Sequence, residues 1–315
     1  MSTLLTLDDL NSWQASGKAP TDPAPRLAVI GDPVAHSLSP AMHQPALDKA
    51  GINARYVKLH VPASVDSFES LFAQLRALGF IGVNVTVPHK ATALAAADVA
   101  DDAATAMGAA NTILFADDGK TYAFNTDGIG MAEAIRDAFR IDLRDLRITI
   151  VGAGGGAGRA AAVKCALDQC ERLVLINRTV SKIQELEEQL RPHFTDDKLH
   201  GATERLCAVG LDEPGRLAEE LEETDLIINA TSVGMKPGEG SPLPAQMILP
   251  HHLVFDMIYA PPKTPLLRAA EGNGARIANG SDMLLHQGAA AFAIWFGQDP
   301  DIHVMRQALR DASKA

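Results

Sequence analysis

Residues 147–158 have the sequence RITIVGAGGGAG, in which a short apolar strand runs directly into a glycine-rich turn. The turn fits the pattern GxGxxA. Small residues let the backbone turn sharply and approach a pyrophosphate closely, and the helix predicted after the turn offers free N–H groups and the positive end of its dipole. A strand-to-helix turn without a ligand would have the same pattern, so the turn alone is weak evidence for a dinucleotide.

Strands and helices alternate on both sides of this turn. Strands are predicted at 26–30, 56–61, 80–87, 111–115, 121–124, 173–176, 207–209, 225–229, 253–256 and 276–278. Apolar spacing and turn residues predict helices at 40–50, 68–78, after Pro88, after Gly128 and at 283–296. This alternation predicts an α/β fold with parallel sheets covered on both faces, and Asp118-Gly119 predicts a hairpin. The surrounding strands and helices make the dinucleotide hypothesis the stronger one for the glycine turn.

The end of the second strand of this series indicates which dinucleotide is bound. A site selective for NAD usually has a carboxylate there, which accepts a hydrogen bond from the ribose 2′-hydroxyl. This chain has Asn177-Arg178-Thr179, with Lys182 shortly after. Two cations and no carboxylate favour a 2′-phosphate, and therefore NADP, over a merely solvated basic loop.

Composition and charge exclude several classes of protein. The 315 residues include 39 acidic and 28 basic ones, a net charge of −11, so we expect no binding to nucleic acid or to a membrane. The three cysteines lack CxxC spacing, and the ten histidines form no HxxxH pattern, so we expect no metal site. With no predicted signal peptide or membrane span, the expected location is the cytoplasm.

Ser37 and Ser39, in the segment HSLSP, are the first candidate for substrate binding. In an extended segment both hydroxyls point the same way, and Ser39 before Pro40 is a good helix N-cap. Two hydroxyls at a helix N-terminus make a modest carboxylate receptor. Taken in isolation, capping alone is the simpler interpretation.

The segment NVTVPHK, residues 84–90, is the second candidate. Asn84 and Thr86 alternate with valines, so one face of the strand is polar where the strand ends, as in a ligand-binding edge. Lys90 is expected in the first turn of the next helix, where the helix dipole disfavours a cation and suits a lysine that transfers protons. A surface lysine pointing into water is an equally good interpretation.

Asp127, in the segment NTDG, is the third candidate, with Asn111 on the partner strand of the predicted hairpin. An aspartate at this strand end could pair with Lys90 and hold it. An Asx-turn that closes the strand is the simpler interpretation of the residue alone.

Taken together, these segments resemble the shikimate dehydrogenase family over residues 27–297. The shared motifs, in order, are HSLSP, NVTVPHK, AANT, NTDG, GAGGGAG, NRT, NATSVGM, DMIY, KTPLL and MLLHQGAAAF. The combination is far more specific than any single motif. It favours the functional interpretations of Ser39, Lys90 and Asp127 over the structural ones.

The resemblance implies a fold and a set of roles. Residues 1–127 with 281–315 would form a substrate-binding and catalytic domain completed by C-terminal helices, and 128–280 a Rossmann-like NADP-binding domain. Lys90 and Asp127 would be catalytic. The substrate-binding residues would be Ser37, Ser39, Asn84, Thr86, Asn111, Tyr259 and Gln287, with Asn84 also supporting Lys90. The cofactor-binding residues would be Gly152, Ala153, Gly154, Gly155, Gly156, Asn177, Arg178, Thr179, Lys182, Met257 and Gly280.

The implied activity is the NADP-dependent interconversion of 3-dehydroshikimate and shikimate, by a monomer or homodimer. A quinate/shikimate dehydrogenase, a paralogue that acts on an amino-shikimate substrate and a non-catalytic metabolite sensor are alternatives. A folate-linked methylene dehydrogenase lacks support from the HSLSP and NVTVPHK segments. Two positions depart from the family pattern: Asp282 replaces a common glycine near the expected nicotinamide end, and Arg159 comes one position late after the glycine turn.

Overall fold

Two sheets organise the chain in this computed structural model, which describes residues 3–65, 67–195 and 204–313. The chain divides into two compact units. The first contains residues up to Thr126 and those from Gln287 onward, and the second contains Asp127–His286. The chain thus leaves the first unit and returns to it. The assignment of 1–127 with 281–315 to substrate, and of 128–280 to nucleotide, stays a prediction.

Seven strands form the sheet of the first unit: β1 (Leu4–Leu5), β2 (Pro25–Gly31), β3 (Arg55–His60), β4 (Gly82–Val85), β5 (Val99–Ala100), β6 (Thr112–Phe115) and β7 (Thr121–Phe124). They lie in the order β1-β3-β2-β4-β6-β7-β5. The first four strands of this order are parallel, whereas β6 is antiparallel to both β4 and β7. The hairpin predicted at Asp118-Gly119 is confirmed, and it adds an antiparallel part to an otherwise parallel sheet.

Five helices connect these strands: α1 (Leu7–Ser16), α2 (Ser39–Lys49), α3 (Phe68–Ala77), α4 (Lys90–Ala95) and α5 (Asp102–Met107). The apolar face predicted for 68–78 is the buried face of α3, which packs in the core of this unit with strands β2, β3 and β4. In the described part of the chain, no helix is both long and apolar enough to cross a membrane.

In its described residues, the second unit holds a six-stranded sheet, with α-helices between and around the strands. Its strands are β8 (Arg147–Val151), β9 (Arg172–Asn177), β10 (Leu206–Gly210), β11 (Leu226–Asn229), β12 (Leu253–Asp256) and β13 (Arg276–Asn279). Its helices are α6 (Asp127–Phe139), α7 (Gly156–Leu167), α8 (Val180–Leu190), α9 (Pro214–Glu222) and α10 (Pro265–Gly272). All strand pairs are parallel, in the order β10-β9-β8-β11-β12-β13. This is the doubly wound order of a Rossmann sheet, whose direction of winding reverses next to β8.

Two C-terminal helices follow: α11 (Ser281–Phe296) and α12 (Ile302–Ala312). Helix α12 packs on α2 of the first unit. Near the end of α11, the Trp295 indole donates a hydrogen bond of 2.9 Å to the Ile113 carbonyl of β6. A Cβ on Gly82 of β4 would collide with both of these groups, so the glycine makes room for the tryptophan.

Some elements were not predicted. The polar N-terminal segment forms α1, which begins with a capping box: Thr6 Oγ1 accepts from the Asp9 N–H, and the Asp9 carboxylate accepts from the Thr6 N–H. The Thr-x-x-Asp spacing was the available signal. The strand predicted at 80–87 is shorter, because β4 ends at Val85 and leaves Thr86 just beyond the strand.

We predict that Gly82→Ala lowers the free energy of unfolding by about 1–3 kcal/mol, the usual cost of forcing a methyl group into a packed core. Urea unfolding followed by tryptophan fluorescence measures this, since Trp13 and Trp295 both lie in the first unit. The control is Gly215→Ala in α9, where an added Cβ meets no atom within 4 Å. Equal stability of the two variants would contradict the packing described for Trp295.

Candidate functional site

The predicted site residues fall in both units. In the first unit they begin with Ser37, which lies between β2 and α2. Ser37 Oγ donates to Ser39 Oγ at 3.2 Å and accepts from the Ser39 N–H at 3.3 Å. The N-cap of α2 is Leu38, and Ser39 is the first helical residue, so the prediction of Ser39 as the N-cap is wrong. Its hydroxyl is engaged by side chains instead of by the backbone of the first turn.

Tyr56 of β3 links these serines to the polar edge of β4. The Tyr56 hydroxyl donates to Asn84 Oδ1 at 2.6 Å, and the Ser39 side chain hydrogen-bonds the same hydroxyl. Burial raises the pKa of the Tyr56 hydroxyl well above its usual range, and the hydrogen bond from Ser39 opposes that shift only in part. Tyr56 therefore stays neutral and available as a hydrogen-bond donor.

Asn84 also hydrogen-bonds the start of β6, the strand next to β4. Its Nδ2 donates to the Asn111 carbonyl at 3.3 Å and to Thr112 Oγ1 at 3.2 Å. Asn84 thus joins three strands, β3, β4 and the start of β6. The role of Asn84 in binding substrate and supporting Lys90 stays a prediction.

Asn111 joins the residues at the end of this network that is opposite to Ser37. Its Oδ1 accepts from the Thr126 N–H at 2.8 Å and from Thr112 Oγ1 at 3.0 Å, and its Nδ2 donates to Gln287 Oε1 at 3.5 Å. All of these side chains are buried. The structure thus brings together, in one continuous network, five residues predicted to bind substrate: Ser37, Ser39, Asn84, Asn111 and Gln287.

Lys90 is the first residue of α4, as predicted, and is half-buried. Its carbonyl accepts from the Ala110 N–H at 2.9 Å, next to Asn111. The preceding His89 is buried, with its ring nitrogen 2.7 Å from the Val61 carbonyl. Thr86, between β4 and α4, is held by its N–H on the Ile30 carbonyl at 2.8 Å. The start of α4 is therefore anchored at Lys90 itself and at the residues before it.

Asp127 is the first residue of α6 and opens the second unit. It follows Thr126, whose N–H is held by Asn111. The catalytic roles of Lys90 and Asp127 stay predictions.

The glycine turn of the second unit has the shape that a dinucleotide requires. Gly152 has φ +88°, and a Cβ there would come within 2.6 Å of Thr231. A Cβ on Gly154 would come within 2.7 Å of Asn177, whereas at Gly156 it would meet nothing within 4 Å. Gly155 is the N-cap of α7 and has no side chain to cap the free N–H groups. The turn, including Ala153, thus leaves open backbone at a helix N-terminus and fits a pyrophosphate.

The basic residues predicted for the 2′-phosphate lie at the end of β9. Asn177 Nδ2 donates to the Thr179 carbonyl at 3.0 Å and lies against Gly154. Arg178 and Lys182 are exposed, and the Lys182 Cβ lies near the same glycine. The structure therefore brings the glycine turn and this basic segment together, as an NADP site requires. Arg159, the displaced arginine of α7, hydrogen-bonds Gln189 on α8.

Met257 and Gly280 are also brought together. They follow the adjacent strands β12 and β13, and a Cβ on Gly280 would collide with the Met257 carbonyl. Tyr259 is half-buried, and burial raises the pKa of its hydroxyl. Asp282 lines a cavity of about 300 Å³ with Pro262 and Asn279.

The comparisons with known proteins agree with this arrangement. The family model "Shikimate dehydrogenase substrate binding domain" matches residues 29–113, and "Shikimate 5'-dehydrogenase C-terminal domain" matches residues 280–310. A protein of Methanopyrus kandleri named shikimate dehydrogenase (NADP(+)) is 39% identical over 285 residues, which are 90% of this chain and 94% of that protein.

The chain belongs to the shikimate dehydrogenase family.

Solved structures extend the comparison to the fold. Shikimate 5-dehydrogenase from Thermus thermophilus, in complex with NADP(H) and shikimate, has a TM-score of 0.78 and 36% identity, over 91% of this chain and 99% of that one. Quinate dehydrogenase from Corynebacterium glutamicum, in complex with NAD, has a TM-score of 0.78 and 28% identity, over 90% and 98% of the two chains. The predicted α/β class, with a substrate-binding domain and a Rossmann-like NADP-binding domain, is confirmed.

Sequence reasoning missed residues that the shikimate dehydrogenase fold uses to hold its site. Tyr56, Thr112 and Thr126 carry the network of the first unit. In the second unit, the buried Asp256 accepts from Asn229 Nδ2 at 3.0 Å and from Thr264 Oγ1 at 2.6 Å. Thr112, Thr126 and Asp256 lie within the family motifs AANT, NTDG and DMIY, which were the available signal, whereas Tyr56 lies in none of the motifs.

Asp256 fixes the loops beside the glycine turn. Asn229 Oδ1 accepts from Thr231 Oγ1 at 2.7 Å, and Thr231 is the residue that packs against Gly152. Asp256 also accepts from the Ile258 N–H at 3.0 Å, immediately after Met257. One buried carboxyl therefore connects the residues expected around the pyrophosphate with those expected around the nicotinamide.

We predict that Asp256→Asn changes how the stability of the protein depends on pH. Burial raises the pKa of the Asp256 carboxyl against its opposing hydrogen bonds, so the folded state holds this proton more tightly than the unfolded chain does. The wild type therefore loses stability as pH rises from the unfolded value of about 3.9 through the folded pKa. The nearly isosteric Asn variant lacks this loss.

Urea unfolding over a pH series tests the prediction. Relative to wild type, the variant should gain free energy of unfolding as pH rises and then level off. A difference between the two proteins that is independent of pH, or that falls with pH, would show that burial of Asp256 does not penalise its ionised form.

Proposed function

We propose that this chain is a shikimate dehydrogenase that catalyses the reversible NADPH-dependent reduction of 3-dehydroshikimate to shikimate, in chorismate and aromatic amino-acid biosynthesis. The observation that carries the proposal is the continuous network of Ser37, Ser39, Asn84, Asn111 and Gln287, a set of hydroxyls and amides suited to a small, polyhydroxylated carboxylic acid. The family membership and the NADP-type basic segment support it.

The proposed binding roles follow from donor chemistry. The hydroxyls of Ser37 and Ser39 bind the substrate carboxylate, and Thr86, Asn111 and Gln287 bind the ring hydroxyls, with Tyr259 assisting. Because the network is buried and already hydrogen-bonded, its geometry costs little to organise when substrate arrives.

The proposed cofactor is NADP. Gly152, Ala153, Gly154, Gly155 and Gly156 hold its pyrophosphate, whereas Asn177, Arg178, Thr179 and Lys182 hold the 2′-phosphate, and Met257 and Gly280 line the nicotinamide. When bound, the reduced cofactor supplies the hydride for the ring carbonyl.

Lys90 and Asp127 are the proposed catalytic residues. The Lys90 ammonium hydrogen-bonds the carbonyl oxygen, stabilises the negative charge that develops there and donates the proton. Asp127 orients the Lys90 ammonium and accepts from a neighbouring ring hydroxyl.

The second candidate is a quinate/shikimate dehydrogenase that uses NAD. The similarity to the Corynebacterium glutamicum quinate dehydrogenase in complex with NAD favours it, and Asp282, in place of a common family glycine, is the first residue to mutate in that case. Arg178 and Lys182 argue against NAD. The proposed location is the cytoplasm, in keeping with three buried free thiols, and the proposed assembly is a monomer or homodimer.

One assay tests the proposed function: reduction of NADP and of NAD by purified protein, with shikimate and with quinate side by side. Turnover of shikimate with NADP, and little with the other three combinations, is the expected result. Comparable turnover of quinate, or a preference for NAD, would move the chain to the second candidate. Absence of any turnover would favour a metabolite sensor.

We predict that Lys90→Ala lowers kcat by about 100-fold or more while KM for shikimate changes only a few fold, because general acid catalysis acts mainly on the transition state. Steady-state kinetics with NADP measures this. The control is Lys120→Ala, an exposed lysine in the β6–β7 turn, which should match wild type. An unchanged kcat in the Lys90 variant would refute the catalytic role.

We predict that Arg178→Ala raises KM for NADP about tenfold and leaves KM for NAD unchanged, since only NADP carries the 2′-phosphate that an exposed guanidinium would bind. Arg310→Ala, an exposed arginine of α12, is the matched control. An equal rise for both cofactors would mean that Arg178 acts on the fold or on the pyrophosphate instead.

A further inference from the structure

Tyr56 occupies a position in the first unit that neither the family motifs nor the proposed roles explain. Its ring is fully buried, and its hydroxyl lies between two residues of the proposed substrate site. The single hydroxyl hydrogen is donated to Asn84 Oδ1 at 2.6 Å. The Tyr56 oxygen therefore accepts the hydrogen bond from Ser39. The donors run in one direction, from Ser37 to Ser39 to Tyr56 to Asn84.

The ring of Tyr56 is fixed by a second buried ring. His43 of α2 stacks on it with centroids 4.6 Å apart and planes only 5° from parallel. Trp295 lies tilted against both rings, with its ring centroid 5.5 Å from that of His43 and 6.2 Å from that of Tyr56. Because β3, α2 and α11 each contribute one ring, Tyr56 has little freedom to turn.

His43 contributes by packing and not by hydrogen bonding. The ring is fully buried, and neither of its nitrogens has a hydrogen-bond partner among the described residues. Burial lowers the pKa of His43 to about 3, so the ring is neutral under ordinary conditions. A Cβ on Gly288 would collide with Met42 Cε and come within 3.2 Å of His43 Nε2, so the glycine makes room for both side chains.

We infer that Tyr56, clamped by His43, is a positioning residue for the substrate carboxylate: its hydroxyl keeps Ser39 Oγ in place on one side and the amide of Asn84 on the other. When substrate binds, the hydroxyl hydrogens of Ser37 and Ser39 turn from their protein acceptors to the carboxylate. The inference rests on the proposed function, which places the carboxylate on Ser37 and Ser39. Without the Tyr56 hydroxyl, Ser39 loses its buried acceptor and is free to rotate, and Asn84 Oδ1 loses its donor. Carboxylate recognition then weakens through Ser39, and the reacting carbonyl is affected less, since it is reached only through Asn84 and Lys90.

The test is Tyr56→Phe, assayed with shikimate and with its neutral methyl ester. KM for shikimate should rise about tenfold, equivalent to about 1.4 kcal/mol and typical of one lost hydrogen bond in a buried network. KM for NADP should stay within about twofold of wild type, and kcat should change less than KM for shikimate does. The preference of the enzyme for shikimate over the ester should shrink, because the main defect is in binding the carboxylate.

Three further variants separate positioning from general stability. Tyr122→Phe removes a hydroxyl that donates to Asp118 in an exposed turn of the same unit, and it should leave KM unchanged. His43→Leu removes the stacked ring and should raise KM for shikimate as Tyr56→Phe does, and His43→Phe should restore most of the loss. The His43 pair also decides the matter if Tyr56→Phe does not fold.

The outcomes distinguish the inference from the proposed function. If the wild type does not turn over shikimate, the proposed function is contradicted, and so is the inference that rests on it. If the wild type is active but Tyr56→Phe keeps the wild-type KM and preference against the ester, the positioning role is overturned, even when the midpoint of unfolding falls. A lower KM in the variant would overturn it equally.

Discussion

A buried polar side chain that lacks a hydrogen-bond partner costs about 1–3 kcal/mol, and this constraint holds the first unit in its active arrangement. Ser39, Tyr56, Asn84, Asn111 and Gln287 come from five separate places in the chain, yet each satisfies a neighbour in the buried network. A shift of any one strand or helix would leave several of these groups unsatisfied. The same hydrogen bonds that stabilise the sheet therefore also set the geometry in which a carboxylic acid would be bound.

The second unit meets the same constraint with a different set of residues. Asp256 is fully buried, and it accepts hydrogen bonds from Asn229, Thr264 and the Ile258 backbone. Through Asn229 this carboxyl fixes the loop that packs on Gly152. Neighbouring side chains occupy the space that a Cβ would need at two glycines of the glycine turn. Only glycine therefore fits at these two positions, and their backbone stays uncovered. Polar groups at strand ends thus organise both units, with neutral amides in one and a carboxyl in the other.

Local signals in the sequence predicted most of the fold. The features that the sequence could not predict depend on contacts between residues far apart in the chain. The glycine turn after β8 depends on neighbouring residues alone, so its strand, turn and helix were predictable. Ser39 was misassigned as an N-cap because its partner Tyr56 is distant in sequence, and Tyr56 itself has the pattern of an apolar strand residue. The antiparallel part of the first sheet was also predictable, because the hairpin depends on the local turn at Asp118-Gly119. The site residues were named largely through the family motifs, since no single motif distinguishes a catalytic lysine from a surface one.

The central claim is that the hydroxyl pair of Ser37 and Ser39, backed by a fixed Tyr56, receives the substrate carboxylate. A crystal structure of the protein with shikimate and NADP tests it most directly. The account predicts carboxylate oxygens at hydrogen-bond distance, about 2.5–3.0 Å, from both serine Oγ atoms, with the ring hydroxyls on Asn111 and Gln287. A carboxylate bound to a cationic side chain instead, such as Lys90, with both serines left without ligand, would contradict it.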